Sequence, residues 1–102
     1  MDIKNLIETA HNNAKNKGFW GDWVRSDTNN AISCRLMLIV SELAEAQSAL
    51  RLDDYENFKE ELADVAIRLA DLCGGLDIDL EYEIEIKMLK NIKRPYKHGR
   101  MF

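Results

Sequence analysis

The sequence lacks a CxxC pair, an excess of positive charge and any apolar run long enough to cross a bilayer. Its two cysteines, Cys34 and Cys73, have no set of histidine or cysteine partners, which argues against zinc. Both fall in apolar helical patterns and read as reduced, buried, small hydrophobes. A formal net charge of -4 gives no general attraction to nucleic acid or to an anionic membrane. Met1-Asp2-Ile3-Lys4 opens an amphipathic segment rather than a signal peptide, so the expectation is a cytoplasmic protein with no nucleic-acid or membrane partner. Internal repeats and low-complexity linkers are also missing, and the single proline, Pro95, stands near the end.

Helical periodicity fills most of what remains. A chain of 102 residues makes one domain, residues 1–102, in a size range where burial alone is modest and a partner subunit often helps. Ile3, Leu6, Ile7, Ala10 and Ala14 recur at helical spacing until Lys17-Gly18, where glycine supplies the left-handed conformation that ends helices. Phe19 to Asn30 reads as a loop holding Trp20 and Trp23, with Ser26, Asp27 or Thr28 able to cap the next helix. From Ala31 to Leu50, Ile32, Leu36, Ile39, Leu43, Ala46 and Leu50 form one stripe and Met37, Val40 and Ala44 widen it, so this helix is expected at the centre of the bundle. Asp53 and Asp54 precede a third period, Phe58, Leu62, Val65, Ala66, Leu69 and Cys73, which Gly74-Gly75 is expected to end.

From Ile78 to Lys87 apolar and charged residues alternate, which by period alone is a strand. A solitary strand would leave its backbone groups unpaired, and Glu, Lys, Leu and Met favour helix, so a helix capped by Asp77 is predicted. It carries two apolar faces, Ile78/Tyr82/Ile86/Leu89 and Leu80/Ile84/Met88/Ile92, one for its own bundle and one for a second subunit. Pro95 ends it, and residues 94–102 form a basic tail. The fold expected is an all-α antiparallel bundle of about four helices, completed by homodimerisation.

Glu42 and Glu45 are three apart on the second helix, as are Glu61 and Asp64 on the third, so each pair projects from one side of its helix. Glu42 borders the Ile39/Leu43/Ala46 stripe and Glu61 borders Leu62/Val65, which places the carboxylates against the seam of an antiparallel hairpin. Four carboxylates there would repel one another and lose hydration unless a cation compensates. Magnesium, which takes oxygen ligands and keeps open positions for water and phosphate, suits such a set, with manganese as a substitute. The plainer reading is helix ion pairing, for example Asp64 with Arg68.

Ser41-Glu42-Leu43-Ala44-Glu45-Ala46, then Glu61-Leu62-Ala63-Asp64, then Lys87, Asn91, Arg94-Pro95 and His98-Gly99 together resemble the MazG-like branch of the all-α nucleoside triphosphate pyrophosphohydrolases. That family's signature is ExxE, a variable gap and ExxD, and the fifteen residues between Glu45 and Glu61 fit the gap. The resemblance spans about Leu36 to Gly99. It implies a helical domain that forms homodimers or tetramers and splits nucleoside triphosphates into monophosphate and pyrophosphate, as nucleotide-pool housekeeping. By the same carry-over Glu42, Glu45, Glu61 and Asp64 would hold magnesium; the mechanism then needs a carboxylate that is unligated or just behind the ligands to orient the attacking water, and Glu45 is the choice for that role. Lys87, Asn91 and Arg94 would grip the triphosphate, with Lys97 closing over it. The longer form of the motif begins with a further glutamate where this chain has Ser41.

Trp23 stands where related dCTP pyrophosphatases carry a base-stacking tryptophan, and Trp20 is close by. Either stacks on a nucleobase, or both cover the open end of a small core. His11 reads as a surface or partner-contacting residue. A di-iron bundle needs two Glu-x-x-His motifs, and only Glu8-Thr9-Ala10-His11 fits. The reading from another class is a catalytically silent helical dimer acting as a regulatory or interaction module.

Overall fold

Carboxylates and a hydroxyl start each of the four α-helices among the described residues. The computed structural model describes residues 1–21 and 28–101. Within them α1 (Ile3–Asn16), α2 (Asn29–Arg51), α3 (Tyr55–Gly75) and α4 (Leu80–Ile92) follow in order, then a 3-10 turn over Tyr96–Gly99, with no strand among the described residues. Asp2 accepts from the Asn5 N–H at 2.7 Å, Thr28 from Ala31, Asp54 from Asn57 and Asp79 from Tyr82. Each such cap is worth about 1 kcal/mol.

The alternating segment is helical, as its composition predicts, but it begins at Leu80 and its cap is Asp79 rather than Asp77. Asp77 lies in the preceding connection at φ 58, a left-handed conformation that Asp tolerates better than most residues. Gly74 and Gly75 do not end α3; they are its last helical residues. Their smallness serves packing instead. A methyl on Gly74 would come within 2.6 Å of His11 Cβ, and one on Gly75 would overlap the Trp20 ring. Gly18, at φ +86, does close α1.

α1 and α2 both pack antiparallel on α3, since His11 meets Asp71 and Glu42 meets Arg68. The central helix is therefore α3, not α2 as its wide apolar stripe predicts. α4 packs chiefly on α1 and leaves the rest of its surface open. The radius of gyration, 15.9 Å, exceeds the about 13 Å of a compact domain of this length, which fits an outlying fourth helix.

The buried core is made of small residues. Ala10, Ala31, Ala46, Ala49, Ala70 and Cys73 let the helices approach closely, and Leu72 is the one large apolar side chain buried with them among the described residues. Burial pushes the Cys73 thiol pKa up. Cys34, expected inside, is exposed among the described residues. Leu36, Met37, Val40, Leu43 and Leu50 of α2 are also exposed, as are Tyr82, Met88, Leu89 and Ile92 of α4. No helix among the described residues is long and apolar enough to cross a membrane.

Candidate functional site

The antiparallel α2–α3 hairpin brings Glu42 and Glu45, one turn apart on α2, against Glu61 of α3. One carboxylate oxygen from each lies within 4.8 Å of the others. The Glu42 side chain is 12% exposed, Glu61 is half-buried and Glu45 is exposed. Asp64 does not join this trio; one turn further along α3 it lines the neighbouring groove. Three of the four expected carboxylates thus converge.

Their electrostatics are unequal. Arg68 Nε donates to Glu42 Oε1 at 2.8 Å, and this bond holds the Glu42 carboxyl below its ordinary pKa. Glu61 has no such donor. Loss of hydration, reinforced by Glu42 and Glu45, pushes its carboxyl up to about 7, and its buried Oε2 has no hydrogen-bond partner. The same arginine corrects a sequence expectation: Arg68 reaches across to α2 rather than pairing with Asp64 on its own helix. Three carboxyl groups with an orphaned buried oxygen and a carboxyl only partly ionised at neutral pH fit a hard divalent cation, which supplies the missing charge and the missing partner together.

Beside the trio runs a groove of about 640 Å³, floored by α3 and walled by α1 and α2. Ala10 and Ala14 of α1, Leu38 of α2 and Ile67 of α3 make it apolar, and Lys17, Asp64 and Arg68 add charge. Glu42 and Arg68 belong to both groove and trio, so a ligand lying in the groove would have one end at the carboxylates. The volume suits a small organic molecule.

At the other end of the groove a second polar cluster closes the core. Trp20 Nε1 donates to Asp71 Oδ1 at 2.7 Å, and His11 Nδ1 meets the same oxygen at 3.0 Å. The Arg35 guanidinium lies 3.3 Å from the centroid of the Trp20 ring and donates to the Phe19 carbonyl at 3.1 Å. His11 meets that indole edge-on, the ring centres 5.0 Å apart. Burial lowers the Arg35 pKa, with Asp71 opposing the shift. His11 is therefore an interior partner of Asp71, not a surface histidine. Trp20 is engaged in closing the core, the second of the two roles open to it, and Trp23 lies outside the described residues.

Sequence reasoning passed over Arg35 and Asp71. The available signals were a lone arginine amid the apolar residues of α2, and the i, i+4, i+7 spacing that puts Asp64, Arg68 and Asp71 on one face of α3.

The basic residues of the last helix stand apart. Lys87 and Asn91 share one face of α4 with Arg94 just beyond its end, yet α4 packs along neither α2 nor α3 to any extent. Within one chain this face is not built into the carboxylate trio. Lys87 and Arg94 have no ion-pair partner among the described residues, and the Asn91 Oδ1 is buried there without a hydrogen-bond donor. Lys97 lies in the 3-10 turn, where it and His98 both adopt φ 53. No protein-family model matches the chain, and neither a curated protein nor a solved structure matches it.

Proposed function

We propose that the protein is a magnesium-dependent nucleoside triphosphate pyrophosphohydrolase of the MazG-like kind, working in the cytoplasm as a homodimer in nucleotide-pool housekeeping. The observation that carries this reading is the convergence of Glu42, Glu45 and Glu61 around an unpartnered buried oxygen at the mouth of a ligand-sized groove. Glu42, Glu45 and Glu61, with Asp64 alongside, would hold magnesium or manganese. Bound there, the ion supplies positive charge for phosphate oxygens and acidifies water.

The chain's own residues have distinct tasks in this reading. Glu45, the most exposed of the trio, orients a water for attack on the α,β anhydride and takes its proton. The bridging oxygen departs with pyrophosphate, leaving the nucleoside monophosphate. Lys87, Asn91, Arg94 and Lys97 grip phosphate oxygens, and because α4 is not packed on its own α2–α3 hairpin, they do so across the dimer. The dimer has its own support: a core of alanines buries little apolar area, while Leu36, Val40 and Leu43 of α2 remain uncovered.

The test is a panel of ribo- and deoxynucleoside triphosphates with magnesium, with monophosphate and pyrophosphate measured separately. Equal release of both on at least one substrate is expected; orthophosphate as the product overturns α,β cleavage. Sedimentation should give a dimer or tetramer, which Leu43→Glu disperses. One observation favours a silent interaction module instead: Ser41, in place of the motif's further glutamate, turns its hydroxyl onto the Leu38 carbonyl at 2.7 Å. No turnover on the whole panel, with the dimer intact, would establish that alternative.

A further inference from the structure

We propose that Arg68 is an anion-gripping residue of the groove, anchored by one edge on Glu42 and presenting its other edge to a phosphate group of the ligand. The proposal rests on the hydrolase reading only in naming the anion as a polyphosphate.

A guanidinium has five N–H donors in a rigid fork. In Arg68 the Nε donor is committed to Glu42 at 2.8 Å, and Glu42 is the partner of Arg68 among the described residues. The four N–H groups on the terminal nitrogens have no acceptor among the described residues. The side chain is 38% exposed and lines the groove, so those donors belong to a surface that a ligand can reach. The anchor on Glu42 fixes the plane of the fork before any ligand arrives, which reduces the side-chain entropy lost on binding.

Most of the other charged groups of the groove are already engaged. Asp71 is engaged by His11 and Trp20, Glu42 by Arg68, and Arg35 lies against Trp20 with a bond to Phe19. Lys17 on the α1 wall and Asp64, one turn before Arg68, have no ion-pair partner among the described residues, while Arg68 on the floor is paired through Nε alone. An anion at this end of the groove would meet the unengaged donors of Arg68 with Lys17 in the same lining. A fork engaged through Nε leaves its two terminal nitrogens side by side, the arrangement that binds two oxygens of one phosphate. Arg68 would thus position Glu42 and hold the ligand with the same group.

The experiment is calorimetric titration of inorganic pyrophosphate into the full chain, in saturating magnesium and separately in EDTA, with magnesium alone titrated as a third arm. Native protein is compared with Arg68→Gln, Arg68→Lys and, as a control on the outer face of α4, Lys90→Gln. Arg68→Gln should weaken pyrophosphate by about tenfold or more, the value of a charge-assisted hydrogen bond, while magnesium affinity changes by less than about threefold. Arg68→Lys should fall between, and Lys90→Gln should match the native protein.

Unchanged pyrophosphate affinity in Arg68→Gln overturns the proposal. So does a fall in magnesium affinity as large as the fall for pyrophosphate, since Arg68 would then act only through Glu42. If Arg68→Gln does not fold, Arg68→Lys decides, with weakening by about threefold or more supporting the grip and native affinity rejecting it. If the native protein takes up no magnesium, the metal reading fails and the EDTA arm decides by the same criteria, with no binding at all counting against Arg68. Pyrophosphate binding that depends on Arg68 in a protein inert on every triphosphate would sink the activity and leave the grip standing.

Discussion

Two polar clusters lie along α3, about 15 Å apart at the rise of an α-helix, and they resolve their charges in opposite ways. At Asp71 one carboxylate oxygen receives donors from His11 and Trp20, and Arg35 covers the indole that supplies one of them. At Glu61 three carboxylates meet, one donor arrives from Arg68 for Glu42, and Glu61 Oε2 is left bare. The Asp71 carboxylate finds its donors within the chain. The second cluster calls for a cation from outside. A buried acid is therefore no sign of function by itself; what distinguishes the two ends is whether the fold supplies the partner.

The comparison breaks most readily at the Asp71 cluster. Trp20→Ala removes a ring that touches Gly75, His11 and Arg35 and leaves Asp71 short of a donor, so it should cost about 3–5 kcal/mol in denaturant unfolding. If the loss were under about 1 kcal/mol, Trp20 would be peripheral to the core and open for another task.

At the incomplete cluster the same kind of change should act on chemistry and spare the fold. Glu61→Gln removes the carboxyl that resists ionisation, so the protein without divalent ions should be as stable as before or more so. Pyrophosphate release should fall by about a hundredfold or more, and the rise in melting temperature with magnesium should vanish. A variant that stays active, or that unfolds without metal, would make Glu61 an ordinary structural acid. Gly75→Ala gives a smaller effect with an informative sign. Alanine is the better helix former by about 1 kcal/mol, yet here its methyl would meet the pinned Trp20 ring, so a net loss of about 1–3 kcal/mol is expected from the melting curve. A gain would mean that the ring moves aside freely.

How much of this was legible in the sequence depends on the range of the interaction. Helix boundaries and caps follow from local residues: Thr28 was one of three candidates for its cap, Asp54 stood beside Asp53 just ahead of the third period, and the Asp77 to Asp79 shift is an error of two positions between equivalent acids. Convergence of Glu42, Glu45 and Glu61 followed from i, i+3 spacing on two helices that a short connection forces to be antiparallel. Choice of partner across helices did not follow. Arg68 has Asp64 within its own helix and takes Glu42 instead, and His11 finds Asp71 sixty residues away, because rotation of each helix about its axis is set by close packing of alanines that carry little pattern of their own. The central place expected for α2 failed for a related reason. An apolar stripe reads the same whether its own chain or a second copy covers it, and Cys34, Met37 and Val40 are exposed among the described residues.

The smallest effect tests the contrast through pH alone. Glu61 has its carboxyl raised from 4.5 to about 7 in the folded state, chiefly by loss of hydration, while in the unfolded chain it ionises near the ordinary value. Between those two pH values the folded form holds a proton that the unfolded form has released, so stability falls as pH rises through that window. Below it both states are protonated and the full contribution is present. Glu42 runs the other way, because Arg68 lowers its pKa and its contribution is lost as pH falls below the ordinary carboxylate range. Without divalent ions, the denaturant midpoint should therefore decline between pH 4.5 and about 7 in the native protein and stay flatter in Glu61→Gln. Magnesium displaces the proton, so its stabilising effect should be larger at about pH 8 than at about pH 6. The Asp71 cluster supplies the control: Asp71→Asn should lower the midpoint and leave this slope in place. A slope that disappears with Asp71→Asn and survives Glu61→Gln would reverse the assignment of which end of α3 is incomplete.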